Sequence, residues 1–257
     1  MLRTRVMPCL LLKNGRLVKT VKFQNDKYVG DLLNAVRIYN QKEVDELVVF
    51  DISRTTSRQL IDFDLIQKMA SQCFMPVCYG GGVKTLNDFK TLFTLGVEKV
   101  SVSSLLFDNP KVVRHAVSIY GSQSIVATID LAKPLFRSKY VIKTHSGRKK
   151  RGIPTSEIIA YCEDLGVGEI IVNNISQEGT WEGFDIDLLK ELTASANVPI
   201  VAVGGAGSLG DIRAAVESGG VSAVCIGSMA VFQSKDMGVL IKFPKPSELD
   251  RVLEYYK

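Results

Sequence analysis

The chain contains little histidine, since its 257 residues include only His115 and His145. Zinc sites in proteins are built mainly from histidine and cysteine side chains, so a histidine-based metal site is not expected here. His115 falls inside a helical pattern, which favours a surface or packing role over catalysis. No other motif indicates a metal or a cofactor.

Cysteine is also infrequent, and the spacing of the cysteines matches no metal-binding or disulfide motif. The five cysteines are odd in number and form no Cys-X-X-Cys pair, which argues against both a zinc cluster and a disulfide framework. Four of them lie in apolar surroundings, as is typical of buried, reduced thiols. We therefore expect a cytoplasmic protein.

Long apolar runs and strong charge are missing as well. No apolar stretch reaches 18 residues, and the run that follows Met1–Arg5 is too short for a signal peptide, so no membrane partner is expected. The net charge of +5 favours anionic ligands, but no basic stripe with interleaved aromatic residues indicates nucleic acid. The basic run 148–151 has two interpretations, a solvated loop or a grip on an anionic ligand.

Short runs rich in valine, isoleucine and leucine alternate with amphipathic segments along the whole chain. Nearly continuous apolar strands are typical of parallel sheets with both faces buried. Eight such strand–helix units predict one domain over residues 1–257, a (β/α)8 TIM-type barrel of the α/β class. A doubly wound sheet is the alternative. The strands are expected at about 6–12, 46–52, 77–79, 99–103, 124–130, 169–174, 200–203 and 223–226, and the helices at 31–42, 62–72, 85–95, 110–119, 154–165, 185–196, 208–218 and 246–256.

Two apolar runs end in glycine-rich turns, at 77–85 and at 200–208. Glycine lets the backbone approach a ligand closely, and a helix start that follows favours a phosphate group. The layout repeats after about 124 positions, with Gly80 paired with Gly204, 102–104 with 226–228 and 50–52 with 173–175. The sequence therefore predicts two duplicated half-barrels and a ligand with two phosphates. An insertion after strand five, at about 133–147, contains a short hairpin near 140–143.

In a barrel enzyme the active site lies at the carboxyl ends of the strands, so the residues that follow each predicted strand are the candidates. Asp130 closes a strand and can act as a general acid or base with a raised pKa, or merely anchor a loop. Asp51 closes another strand and has the same two interpretations. Lys19 can pair with a carboxylate or meet a phosphate. Further strand-end candidates for ligand binding are Gly81, Gly82, Ser101, Ser103, Asn173, Gly204, Gly205, Gly227 and Ser228.

Over nearly its full length the chain resembles the cyclase subunit of imidazole glycerol phosphate synthase. The resemblance is carried by stretches such as Met7-Pro8-Cys9-Leu10, Gly80-Gly81-Gly82, Ile129-Asp130 and Gly204-Gly205-Ala206-Gly207. It implies a barrel paired with a glutaminase subunit as a heterodimer. Ammonia would pass up the barrel and react with a bisphosphorylated ribulosyl aminoimidazole compound.

Some of the family's pocket residues are present in this chain and others are replaced. The family has catalytic aspartates at the ends of strands one and five; Asp130 matches the second, but Leu11 stands at the first. Leucine cannot transfer a proton. The resemblance also implies a role for Gly179 in binding the substrate or its phosphate, and the loop before Gly179 is changed. Other positions with altered residues are Ser103, which replaces Asn, Asn173, which replaces Thr, Val203, which replaces Ser, and Glu178, which replaces Asp.

The other end of the barrel matches the family's charged ammonia gate. Arg5, Glu46, Lys99 and Glu169 each come at the start of a different strand, as a ring around the axis requires. Opposite charges can satisfy one another there. A salt-bridge ring that only plugs the barrel floor is the alternative. Glu98 keeps the charge of an interface aspartate, which indicates a docked glutaminase.

The intact gate beside an altered acid–base pair points to a particular subfamily. The chain resembles a paralogue from bacterial surface-polysaccharide clusters in the stretches Leu10-Leu11-Leu12-Lys13, Lys19-Thr20-Val21-Lys22-Phe23 and Cys73-Phe74-Met75-Pro76-Val77-Cys78-Tyr79-Gly80. That resemblance implies ammonia delivery for converting an N-acetyl sugar into an acetamidino sugar, with a separate amidotransferase. Three hypotheses therefore remain open: a cyclase-type lyase of histidine biosynthesis, an ammonia-channelling subunit of lipopolysaccharide biosynthesis, and a non-catalytic regulator of a partner's glutaminase.

Overall fold

Eight parallel strands close into a barrel in this computed structural model, which describes residues 4–57, 59–134, 139–236 and 238–253. Hydrogen-bonded neighbours follow the chain order and the last barrel strand pairs with the first, so the predicted (β/α)8 barrel is confirmed. The barrel strands are β1 (Arg5–Lys13), β4 (Leu47–Asp51), β5 (Val77–Gly80), β6 (Lys99–Val102), β7 (Ile125–Ala132), β10 (Glu169–Asn174), β11 (Ile200–Val203) and β12 (Ala223–Ile226).

Helices cover the outside of the barrel and connect its strands. Several begin at a side-chain cap such as Asp31 or Asp185, whose carboxylate accepts a backbone N–H of the first turn. The helices are α1 (Leu32–Gln41), α2 (Arg54–Ser57), α3 (Phe63–Ala70), α4 (Leu86–Thr94), α5 (Ser104–Asp108), α6 (Pro110–Tyr120), α7 (Ile158–Asp164), α8 (Ile186–Ala194), α9 (Leu209–Glu217), α10 (Ser228–Val231) and α11 (Pro246–Leu253). No helix in the described part of the chain is long and apolar enough to cross a membrane.

Two antiparallel hairpins rise from the carboxyl ends of the strands. The first, β2 (Arg16–Val21) and β3 (Gln24–Gly30), pairs with β1, and the second, β8 (Val141–Thr144) and β9 (Lys149–Lys150), pairs with β7. The second hairpin lies in the predicted insertion, whose residues 135–138 fall outside the described part. The first was not predicted, although Asn14-Gly15 with both φ angles positive is the usual two-residue hairpin turn.

The apolar residues form two separate cores. The larger lies between the strands and the surrounding helices. The smaller fills the barrel interior, where alternate residues of each strand point inward. Four of the five free cysteines are buried, three of them in this interior core. The interior core comprises Met7, Cys9, Val48, Cys78, Val126, Ile171, Val201, Val203, Ala223 and Cys225, with Leu11 and Phe50 packed above it.

The two glycine turns have matching local structure. Each leads into a helix through a capping box, Thr85 with Asp88 before α4 and Ser208 with Asp211 before α9. These boxes are 123 positions apart, and β5 ends at Gly80 while β11 ends at Val203. The structural counterpart of Gly204 is therefore Gly81, and the pairing of Gly80 with Gly204 predicted from sequence is wrong by one residue.

Candidate active site

Asp130 lies near the end of β7 at the carboxyl face of the barrel. It is only 8% exposed, and burial raises the pKa of its carboxyl group from the ordinary value to about 7, although the bond from Asn173 opposes the shift. The two residues are directly paired between β7 and β10, and Asn173 Nδ2 donates to Asp130 Oδ1 at 3.0 Å. A carboxyl group that titrates near neutrality can accept or donate a proton at physiological pH.

Asp130 opens into a first cavity that also contains one glycine turn. Gly81 and Gly82 form its wall, both with positive φ, and a Cβ on Gly81 would come within 2.3 Å of the Asp51 carbonyl oxygen. Only glycine therefore fits there. The predicted residues that line this cavity are Asp51, Gly81, Gly82, Ser101, Ser103, Asp130 and Asn173.

Hydroxyl groups form the polar side of the first cavity. Ser101 Oγ and Thr128 Oγ1 lie 2.5 Å apart in one hydrogen bond. Ser103 Oγ, just before α5, is buried and has no partner among the described residues. Such an atom is available to a ligand.

Lys19 lies in a second cavity with the other glycine turn. The residue is 4% exposed, and its Nζ donates to the Cys9 carbonyl oxygen at 2.5 Å. Burial lowers the pKa of Lys19, while nearby Cys9 and Glu178 oppose that shift. An ammonium group beside a glycine turn and a helix start is suited to an anion. The predicted residues that line this cavity are Lys19, Asn173, Gly179, Gly204, Gly205, Gly227 and Ser228.

Three apolar side chains stand between the two cavities. Leu11, Phe23 and Phe50 each line both of them. Leu11 pairs across strands with Phe50, and a Cβ on Gly147, in the second hairpin, would lie 3.3 Å from Phe23. The middle of the pocket is therefore apolar, and Asp130 has no second carboxylate at the Leu11 position.

Asp51 makes its contacts within its own loop. Its Oδ1 accepts from the Ser53 backbone N–H at 3.0 Å and from Ser53 Oγ at 2.6 Å, and its Oδ2 accepts from Arg54 Nε at 2.7 Å. Arg54 also donates to the Leu60 carbonyl oxygen. Both carboxylate oxygens are thus engaged in anchoring the loop, and Arg54 was not singled out from the sequence.

Glu178 holds the first hairpin over the barrel mouth. Its carboxylate accepts from Thr20 Oγ1 at 2.8 Å and from the Phe23 backbone N–H at 3.0 Å. Burial raises the pKa of Glu178 despite these hydrogen bonds and nearby Lys19. The contact places Phe23 in the wall between the cavities.

His145 enters the first cavity from the tip of the second hairpin. Burial lowers the pKa of His145, and Asp108, which lies 3.8 Å from Nε2, opposes that shift. Arg151 from the basic run 148–151 donates to the same Asp108 at 2.8 Å. His145 could not be assigned to the pocket from the sequence, because only a hairpin that folds back over the barrel brings it there. Among the described residues, no group of histidine, cysteine and carboxylate side chains could hold a metal ion.

Four charged residues form a closed ring at the opposite end of the barrel. Arg5 contacts Glu46 at 2.5 Å and also bonds Glu169, and Lys99 Nζ lies 2.9 Å from Glu46 and 3.0 Å from Glu169. Burial alone would lower the pKa of Lys99, but Glu169 and Glu46 raise it above its ordinary value. We call Arg5, Glu46, Lys99 and Glu169 the charged ring. The structure therefore brings together all four residues that the sequence assigned to a gate.

The fold and these sites define a (β/α)8-barrel protein with two glycine turns at one end and a charged ring at the other. A family model described as histidine biosynthesis protein matches residues 5–236. The chain belongs to this histidine biosynthesis family.

Relatives of this chain match it along nearly the whole length. A Vibrio vulnificus protein with the provisional name imidazole glycerol phosphate synthase subunit hisF3 is 44% identical over 99% of this chain and 98% of its own. Provisionally named subunit hisF2 of Pseudomonas aeruginosa is 44% identical over 97% and 99%. Imidazole glycerol phosphate synthase subunit HisF of Desulfovibrio desulfuricans is 35% identical over 89% and 90%. The family resemblance identified from the sequence is confirmed.

Proposed function

We propose that this chain is the cyclase-type synthase subunit of a glutamine amidotransferase. It receives ammonia at the charged ring and uses it in the cavities at the other end of the barrel. The proposal rests on one observation. The charged ring and Asp130 lie at opposite ends of the same barrel interior. The names of the relatives, which include a synthase subunit of imidazole glycerol phosphate formation, support the same activity.

The chemistry of the barrel interior suits a small neutral molecule. Above the charged ring lies the interior core of apolar residues such as Met7, Val48 and Ile171. A dry apolar layer strongly disfavours an ion but not a small neutral molecule. Ammonia, rather than ammonium, is therefore the form that would cross it. Lys99 has contacts with both carboxylates, so its movement would open one side of the ring.

A glutaminase partner would dock at the ring end of the barrel. Glu98 is exposed immediately before β6, and its carboxylate accepts from the Val77 backbone N–H at 2.6 Å. Phe74 precedes β5 at the same end and is 87% exposed. A large exposed aromatic side chain is the kind of residue that a partner covers at an interface core.

The ligand in this proposal carries two phosphates, one for each glycine turn. Asp130 supplies the acid–base group, and Lys19, Gly179 and Gly227 surround the second phosphate position.

Purified protein is mixed with the ribulosyl substrate and ammonium chloride at alkaline pH, and imidazole glycerol phosphate is measured. We expect turnover that Asp130→Asn lowers by at least about 100-fold. No product from the natural chain, under conditions where an authentic cyclase turns over, would rule out the cyclase reaction.

Leu11 favours a second candidate function. In this alternative the barrel channels ammonia to a separate amidotransferase, which converts an N-acetyl sugar into an acetamidino sugar for surface polysaccharide. The apolar wall of Leu11, Phe23 and Phe50 would then replace a cyclase pocket that is no longer needed.

A substitution separates the two functions. Leu11→Asp restores a carboxylate opposite Asp130, with Leu11→Asn as the control of similar size and polarity but no charge. If the chain is an ammonia-channelling descendant of a cyclase, Leu11→Asp creates or improves cyclisation, whereas Leu11→Asn does not. If the natural chain is a competent cyclase, neither change improves its rate.

A further inference from the structure

Asn173 has a polar atom that no described residue satisfies. Its Oδ1 is buried without a hydrogen-bond partner, and the residue is only 7% exposed. A buried acceptor left unpaired destabilises the folded chain, because it loses its hydrogen bonds to water without replacement. Native proteins keep few such atoms, so each one calls for an explanation such as a role in binding a ligand.

The orientation of the Asn173 amide is set by its neighbour. Because Nδ2 donates to Asp130 Oδ1 at 3.0 Å, the amide nitrogen is engaged by that carboxylate, and the oxygen of the same amide is the atom left without a partner among the described residues. Asn173 lines both the first and the second cavity. Its unpaired oxygen therefore lies where the two cavities meet, on the residue that is hydrogen-bonded to Asp130.

Strand β10 connects this acceptor to the charged ring. Glu169, Ile171 and Asn173 alternate along the strand, so their side chains share the inward face. Ile171 belongs to the interior core. The four steps along the strand from Glu169 to Asn173 span about 13 Å. The Asn173 oxygen therefore lies above the charged ring, with one apolar layer between them.

Ser103 Oγ, which also has no partner among the described residues, lies in the first cavity but is a weaker candidate. A hydroxyl group rotates freely and can both donate and accept, so it adapts to many ligands. The Asn173 oxygen can only accept. It therefore requires a ligand with a donor, such as an N–H group.

We propose, on the basis of the proposed function, that Asn173 Oδ1 receives the incoming ammonia beside Asp130. Ammonia donates one N–H to this oxygen and another to the Asp130 carboxylate. The nitrogen lone pair is then directed at the carbonyl carbon of the substrate. The lone pair forms the new N–C bond, and the π electrons of the attacked C=O bond move to its oxygen. One N–H proton then passes to the Asp130 carboxylate.

A binding experiment tests this site without any acceptor molecule. Ammonium chloride is added to the ¹⁵N-labelled full chain at alkaline pH, and potassium chloride is added to a second sample as the ionic-strength control. The side-chain amide signals of Asn173 are identified by their absence in Asn173→Val. We expect a saturable shift of these signals with ammonium chloride only. Equal shifts with both salts, or no saturable shift, would overturn the proposal.

A kinetic experiment uses the neighbouring amide as a matched control. Asn174 Nδ2 donates to Tyr140 at 3.1 Å and its Oδ1 accepts from the Ser176 backbone N–H at 3.0 Å, so both its polar atoms are satisfied. In the ammonium-dependent reaction, Asn173→Val should raise KM for ammonia about tenfold, the value of one hydrogen bond. Asn174→Val should leave that KM unchanged.

The two experiments fail in distinguishable ways. If KM rises equally in both variants, Asn173 acts only through the structure and the proposal is wrong. If the natural chain has no turnover, the cyclase function fails, and the binding experiment alone decides whether Asn173 receives ammonia.

Discussion

At the start of the strands four charged side chains satisfy one another, whereas at the strand ends two buried polar atoms, Ser103 Oγ and Asn173 Oδ1, have no partner among the described residues. Strands β6 and β10 contribute to both ends, since Lys99 and Glu169 belong to the ring. The contrast is thus between two ends of the same strands.

The difference shows how one barrel separates stability from chemistry. Each ring cation contacts both carboxylates, so the ring is complete without a ligand. The cavity end instead keeps a carboxyl group with a raised pKa and unpaired acceptors, which are costly unless a ligand engages them. We expect substitutions in the ring to change mainly stability and coupling, and substitutions in the cavities to change mainly chemistry.

The largest effect is expected from breaking the ring. Glu169→Leu removes one of two buried carboxylates and leaves Arg5 and Lys99 to share Glu46. Loss of one partner from a buried ion pair costs about 3–5 kcal/mol, and urea unfolding would measure it. Arg114→Gln breaks the exposed Arg114–Asp164 pair and should cost less than about 1 kcal/mol. Similar losses in the two variants would contradict the ring's role as a buried, self-satisfied unit.

The next effect concerns turnover at the cavity end. Asp130→Asn keeps the shape of the side chain and one acceptor oxygen for Asn173 Nδ2, but it removes proton transfer. A positioned acid or base contributes about 10²–10⁴-fold to rate, so we expect kcat to fall by at least about 100-fold in the ammonium-dependent reaction. Unchanged kcat would remove Asp130 from the chemistry.

The same carboxyl group predicts a pH-dependent stability. Its pKa is about 7 in the folded chain and about 3.9 when unfolded, so the folded state binds the proton more strongly between those values. The contribution of Asp130 to stability is therefore present below about pH 4 and is lost as pH rises towards 7. Urea unfolding would measure the free energy of unfolding of the natural chain and of Asp130→Asn at pH 5 and pH 8. Between pH 5 and pH 8, the stability of the variant relative to the natural chain should rise by at least about 1 kcal/mol. A constant difference would mean that Asp130 is ionised throughout.

The smallest effect tests communication between the two ends. Lys99→Ala leaves Arg5 to hold both carboxylates, so it alters the ring without emptying it. With the glutaminase bound, we expect the ratio of glutamine-dependent to ammonium-dependent rate to change by about fivefold, the lower range of coupling between distant sites. Equal effects on both rates would argue against passage of ammonia through the ring.

The barrel itself could be predicted because its signal is local and repeated. Each buried strand is a short apolar run, and each helix start carries its own cap, as Thr85 and Asp88 do before α4. The first hairpin could have been predicted as well, from Asn14-Gly15. Its contact with Glu178 could not, because 155 positions separate Phe23 from that carboxylate.

The sequence alone determined the class of fold, the four charges at the strand starts, the glycine turns and the absence of an acid at Leu11. Each of these depends on a residue type at a strand end or on a short repeated pattern. Only the tertiary structure decided that Asp51 anchors its own loop, that His145 reaches the first cavity, and that Leu11, Phe23 and Phe50 divide the pocket. Closure of the barrel brings distant strand ends together, so hydrogen-bond partners and buried, unpaired atoms follow from packing rather than from neighbouring residues.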